Sequence, residues 1–201
     1  MNFERIQKAL HDLERPPSGE GWNHADLADI LDVEEGLIPA AVLVPIIDRD
    51  GVLTVLLTER DENLANHGGQ VSFPGGRIDA DDGSALAAAL RELEEEVGIA
   101  REFVEPLGYL DLFDTITRFR VTPVVARVRE GFTVTPRIGE VADVFEAPLA
   151  QFLNPEALIS REVDYRGKLR NIHEFDVEGR RVWGATAAML LNLRKRIELW
   201  T

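Results

Sequence analysis

GGRIDADDGSALAAALRELEEEVGI, residues 75–99, is the stretch on which the reading of this chain turns. From Ser84 to Val97 its pattern is helical, and Gly98 suits a helix C-cap. With Leu86 as origin and about 100° per residue, Leu90, Leu93 and Val97 fall within about 40° of it and form one apolar stripe. Glu92, Glu95 and Glu96 share the flank between about 180° and 280°, while Glu94 lies on the other side. Like charges at this spacing repel by a few tenths of a kcal/mol, a penalty that a divalent cation reverses. Ala85, Ala88 and Ala89 lie on the acidic side and leave room for an approaching loop or ligand. An acidic stripe is by itself the ordinary solvated face of a helix. The preceding Phe73-Pro74-Gly75-Gly76-Arg77 adds weight to chemistry, because adjacent glycines let a backbone turn sharply and approach a ligand.

Working outward, residues 41–47 and 52–57 form two apolar runs around Asp48, Asp50 and Gly51, a hairpin signal with Arg49 facing outward. Residues 70–73 predict a brief strand, and Pro74-Gly75-Gly76 a turn after it. Downstream, strands are expected at 106–111 and 119–128, with a hairpin around Gly131. A strand should turn into a short helix around Pro148, within 143–153. A second hairpin is expected from 167–176 and 180–183 about Glu178-Gly179, then a packed helix over 185–199. Upstream, Phe3, Ile6, Leu10 and Leu13 predict an amphipathic helix over 2–14, followed by a Pro/Gly-rich loop, a helical turn at 26–30 and loop at 32–36. Hairpin, helix, several strands and helix describe an α+β fold with a mixed sheet. Length and pattern suggest a domain over 36–201 with an N-terminal helical extension over 1–35.

The charge balance limits the function. Thirty-six acidic residues against 22 basic ones give −14, unsuited to a nonspecific nucleic-acid binder. A phosphate-bearing small ligand stays open, because a bound metal inverts the local field. With no cysteine there is no disulfide, thiolate nucleophile or thiolate metal site. No apolar run reaches membrane-spanning length, and the first residues lack a signal-peptide pattern, so a cytoplasmic protein without membrane attachment is expected.

The stretch resembles the Nudix box, Gx5Ex7REUxEExGU with U a bulky apolar residue. Arg91-Glu92-Leu93-Glu94-Glu95-Glu96-Val97-Gly98-Ile99 matches every fixed position of its second half. The first half departs: one residue too many separates Gly76 from Arg91, and Asp79 or Asp82 stands where the box has Glu. Upstream, Leu56-Leu57-Thr58-Glu59-Arg60, Leu64, His67, Gly69-Gln70-Val71 and Phe73-Pro74-Gly75-Gly76 resemble the extended signature of Nudix coenzyme A pyrophosphatases. Residues 121–128, 140–153 and 182–190 resemble later parts of those proteins.

The resemblance implies a Nudix fold, a mixed β-sheet sandwiched between α-helices, and Mg2+- or Mn2+-dependent cleavage of the coenzyme A diphosphate to 3',5'-ADP and 4'-phosphopantetheine. By box position, Glu92, Glu95 and Glu96 are implied metal ligands, and Arg91 the residue that sets their geometry. Glu95 or a glutamate on a distant loop, Glu140 or Glu146, is implied as general base. Gly75 and Gly76 shape the loop under the diphosphate; Arg60 and Arg77 are candidate phosphate contacts; His67 and Gln70 orient the loop or line the pocket. Asp79 and Asp82 either replace the missing box glutamate or face solvent. The histidines 11, 24, 67 and 173 are too scattered for a metal cluster, and Ser72 has no nucleophilic partners. Three alternatives stand beside coenzyme A hydrolysis: a Nudix pyrophosphatase for ADP-ribose or a dinucleotide such as NADH, a non-catalytic nucleotide-sensing domain, and a structural helper whose acidic helix is merely solvated. Homodimerisation is left open.

Overall fold

The computed structural model describes residues 1–31, 36–64, 67–165 and 167–200. All but Gly36 of the loop expected at 32–36 lies outside the described residues. The N-terminal segment holds α1 (Phe3–Lys8) and α2 (His24–Leu27). β1 (Ile38–Arg49) and β2 (Val52–Arg60) form the expected hairpin. Its turn places Asp50 and Gly51 at positive φ, and Asp48 Oδ1 accepts from Gly51 N–H at 2.7 Å. β3 (Val71–Ser72), β4 (Gly75–Arg77) and α3 (Ala85–Val97) follow. Then come β5 (Val104–Tyr109), β6 (Phe113–Asp114), β7 (Phe119–Val128), β8 (Val141–Pro148) and α4 (Leu149–Leu153). The chain continues through β9 (Ile159–Tyr165), β10 (Lys168–Val177) and β11 (Arg180–Trp183) into α5 (Gly184–Leu199).

β1 is the spine of the larger sheet, ordered β3-β2-β1-β7-β5, with β4 paired to β1, β6 to β7 and β8 to β2. It runs parallel to β7 from Ile38↔Phe119 to Ile47↔Val128 and antiparallel to β2 and β4, so the sheet is mixed. β9, β10 and β11 form a separate antiparallel sheet. Alternation along β1 sends Ala41, Leu43 and Ile47 toward α3 and Ala40, Val44 and Ile46 into the core shared with α1, α4 and α5. The fold is therefore α+β, a mixed sheet flanked by helices, as the sequence predicts. Among the described residues no helix is long and apolar enough to cross a membrane.

Two polar clasps tie the N-terminal segment down. At one, Arg196 Nε donates to Ala9 O at 2.6 Å, while Asp111 accepts from Asn192 Nδ2 at 2.8 Å and pairs with His11 Nε2 at 2.7 Å. At the other, Asn23 bonds both backbone groups of Asp114. Asp114 is fully buried, and its carboxylate accepts from Arg120 Nε and Nη2 at 2.8 and 2.9 Å and meets His24 Nδ1 at 2.7 Å.

Several boundaries differ from the sequence reading. Gly75-Gly76 is a strand paired with Ala41 and Val42, not a turn, because two residues without side chains can be pressed between β1 and α3. Residues 129–140 form no hairpin about Gly131; they return as irregular chain whose backbone bonds to the end of α3. The first helix stops at Lys8, since His11 bridges to Tyr109 in an isolated β pair. The helical turn expected at 26–30 begins earlier, at His24. β6 and β9 were not anticipated: one is two residues long and the other, ISREVDY, is mostly exposed, with Arg161 interrupting the apolar face of Ile159, Val163 and Tyr165.

Candidate active site

The site is built where β4 meets α3. Ser84 Oγ accepts from Ala87 N–H to open the helix, and Gly98, at φ +78°, closes it with its N–H on Glu94 O. Leu90, Leu93 and Val97 are buried as the stripe predicts. Ala88 and Ala89 are buried as well, so the room they leave is taken by the sheet rather than by a ligand. This close seating brings the Glu92–Glu96 flank over the two glycines. Gly75 N–H donates to Glu96 Oε2 at 3.1 Å. A Cβ on Gly76 would run into the Glu92 carboxylate, and one on Gly75 into Ala41 O and Val42 Cα.

Arg91 organises one side of this flank. Its Nε and Nη2 donate to Asp82 at 2.8 and 2.9 Å, Nη1 donates to Glu92 Oε1 at 2.8 Å, and Nη2 reaches Arg77 O at 3.1 Å. Glu95 and Asp79 lie 3.6 Å away. Asp82, whose carboxyl the Arg91 hydrogen bonds hold below its usual range, is thus the fixed partner of Arg91, and Asp79 points outward. The departure in the first half of the box resolves into this one ion pair.

The other side comes from the irregular segment 129–140. Thr135 N–H and Arg137 N–H donate to Val97 O and Glu96 O at 2.7 and 2.9 Å, satisfying carbonyls at the end of α3 that have no helical partner. The docking carries Arg137 to 3.6 Å from Glu95 and 3.5 Å from Glu140. Glu140 O accepts from Asp61 N–H, which draws the end of β2 in, and Arg60 Nη1 stands 4.0 Å from Glu96. Arg137 was not singled out in the sequence; it lies in no motif, and only the docking of its backbone brings it here.

Burial dominates the electrostatics. Glu96 is 6 % exposed, and burial pushes its carboxyl up to about 7; the Gly75 N–H pulls partly back, while Glu92 and Glu140 push further and Arg60 opposes them. Glu92 is also raised by burial, against the pull of Arg91. Among the described residues no three His, Asp or Glu side chains converge closely enough to form a ready metal cage. The donor set nevertheless suits Mg2+ or Mn2+: carboxylate oxygens only, on one helix flank, with a buried glutamate whose charge lacks a close cationic partner. Glu92, Glu95 and Glu96 would hold the ion, which would supply charge neutralisation to phosphate oxygens and acidify bound water.

The remaining candidates disperse. Glu146 is engaged away from this cluster: it is held by Arg49 at 2.5 and 3.1 Å and by Thr54 at 2.6 Å, which keep its carboxyl low against burial. Arg49, expected to face outward, is held by that pair. Arg77 stacks over Phe119, 5.5 Å from the ring centre. His67 Nδ1 and Gln70 Oε1 are 3.0 Å apart on the turn between β2 and β3. Ser72 Oγ is paired with Thr58 Oγ1, and His173 with Ser160 Oγ.

The sequence pattern of the NUDIX domain matches residues 37–171, which span β1 to the first part of β10. The chain belongs to the Nudix family. It is 42% identical over 158 residues to the uncharacterized Nudix hydrolase NudL of Escherichia coli (strain K12), covering 79% of this chain and 82% of the relative. The Nudix fold is also that of a MutT/nudix family protein from Enterococcus faecalis, with a TM-score of 0.52 at 16% identity over 88% of this chain and 72% of the other. The Nudix domain of Shewanella oneidensis NrtR, solved with ADP ribose, is 24% identical over 64% of this chain and 85% of its own, with a TM-score of 0.45. As a Nudix hydrolase, the chain carries out hydrolysis of a nucleotide diphosphate bond.

Proposed function

We propose that the diphosphate cleaved is that of coenzyme A, free or acylated, with 3',5'-ADP and 4'-phosphopantetheine as products. The observation that carries this reading is the resemblance of residues 56–76 to the coenzyme A branch, from Leu56-Leu57-Thr58-Glu59-Arg60 to Phe73-Pro74-Gly75-Gly76. In the reaction a water oxygen bonds to phosphorus, the bridging P–O bond breaks with its electron pair leaving on the departing phosphate, and the water proton passes to a carboxylate. Glu95 and Glu140 are the acceptors we propose, since both border the flank and Glu146 is spent elsewhere. Glu92 and Glu96, with Glu95, would hold the metal, Arg91 fixes Glu92, and Arg60, beside Glu96, faces the phosphates. Arg77, His67 and Gln70 support the loop from its edges.

A second reading, ADP-ribose or a dinucleotide such as NADH, is favoured by one feature: His67 and Gln70, which carry much of the coenzyme A resemblance, are spent on each other, so their contacts demand no pantetheine arm. Product analysis by mass spectrometry with coenzyme A, ADP-ribose and NADH, each with Mg2+, Mn2+ or EDTA, separates the readings. Fastest metal-dependent release of 3',5'-ADP supports the first; faster turnover of ADP-ribose or NADH replaces it with the second. Metal binding without any turnover would leave a nucleotide-sensing domain.

A further inference from the structure

Of the three arginines on the acidic flank, Arg91 and Arg137 both reach Glu95, and they are held in different ways. Arg91 makes direct bonds of 2.8–2.9 Å to Asp82 and Glu92 and is anchored. Arg137 has its backbone fixed on Glu96 O, yet its guanidinium is half exposed and meets Glu95 and Glu140 only at 3.6 and 3.5 Å. Pairs of this kind are held by charge rather than by geometry and cost little to part. The long side chain can therefore leave both carboxylates without the segment that carries it moving.

We propose that Arg137 and a divalent cation hold Glu95 by turns: the guanidinium is a built-in competitor that the cation must displace. The proposal rests on the reading of this flank as the metal site. Glu92, Glu95, Glu96 and Glu140 face Arg60, Arg91 and Arg137; Arg91 and Arg137 both stand 3.6 Å from Glu95, but only Arg137 also reaches Glu140 and, among the described residues, has no direct side-chain bond holding its guanidinium elsewhere on the flank. A dication delivered to Glu95 repels a guanidinium within a few ångströms and takes over its partner. The displaced fork stays tethered at the rim, where its free N–H groups face an anionic substrate.

Mn2+ titration, with free ion followed by electron paramagnetic resonance, tests this on the full chain with the wild type, Arg137→Ala, Arg137→Lys and Arg101→Ala. Arg101 is exposed just beyond α3 and controls for loss of one positive charge. Arg137→Ala is expected to bind Mn2+ about three- to tenfold more tightly, Arg137→Lys to lie between it and wild type, and Arg101→Ala to stay within about twofold. Unchanged or weaker binding in Arg137→Ala overturns the proposal, as does equal tightening in Arg101→Ala. In wild-type protein the Arg137 Nε–H resonance should shift on saturation with Mg2+; a static Arg137 signal also overturns the proposal. If Glu96→Gln binds Mn2+ as wild type does, the metal-site reading itself falls, whatever Arg137 does.

Discussion

Asp114 and Glu96 are both carboxylates withdrawn from water, and the molecule treats them in opposite ways. Around Asp114, burial alone would raise the carboxyl, but the Arg120 fork and then His24 bring it below its usual range, with Asn23 holding its backbone. Around Glu96 burial wins: one backbone N–H and an arginine at 4.0 Å do not offset it, and two further carboxylates add to the strain. The first arrangement lowers the free energy of the fold; the second raises it and leaves a group able to gain from a cation. Asp114 is a carboxylate with its pairing completed, and Glu96, with its pairing incomplete, is one we propose as functional.

The contrast can be broken most directly at Glu96. Glu96→Gln should lower kcat by about 10³-fold or more, roughly 4 kcal/mol of barrier, in steady-state assays with Mg2+. The same change should raise stability by about 1–2 kcal/mol in urea melts at pH 8 with EDTA, because a buried charge is removed. A variant that loses both activity and stability would erase the distinction. Asp114→Ala should do the reverse, losing about 2–4 kcal/mol in the same melts with kcat within about twofold. Gly76→Ala is expected to cost about 10–100-fold in kcat through displacement of Glu92, with KM changed far less.

The smallest expected effect is in pH dependence, and its sign differs between the two groups. Glu96 binds its proton more tightly in the folded state, so its contribution to stability is complete below the ordinary 4.5 and lost as pH rises through about 7. Asp114, held low, contributes stability above the ordinary 3.8 and loses it as pH falls further. Unfolding free energy in EDTA should therefore climb by about 1–2 kcal/mol from pH 8 to pH 5 and then fall in acid. Glu96→Gln should flatten the climb and leave the acid fall. A profile that falls steadily from pH 8 would show that Glu96 is not strained.

How much of this was legible in residues alone depended on range. The α3 stripe, Ser84 and Gly98 and the Asp50-Gly51 hairpin are local patterns, and each appeared where the spacing put it. The carboxylates of the box were legible because motif and helix period agree. β9 was not, since it is mostly exposed and Arg161 interrupts its short apolar face. Gly75-Gly76 read as a turn because glycines usually mark one; here they are thin rather than bent, which only the approach of α3 reveals. Arg137 and the Asp82–Arg91 pair depend on contacts between segments whose meeting no local spacing encodes.

The NUDIX match covers residues 37–171, yet the wall of the sheet opposite α3 is built from Ile6 and Ala9 before it and Ala187, Leu190, Leu193 and Ile197 after it. The stretch that identifies the family is therefore not a stretch that could be cut out and expected to fold. A fragment trimmed to it would lose the α1 and α5 side chains from that core, and should be recovered as aggregate even though every glutamate of the box is present. Supplying α5 on a separate peptide, with the N-terminal segment left in place, would show whether the clasp of Arg196 and Asn192 on Ala9 and Asp111 suffices to hold that wall on without a covalent link.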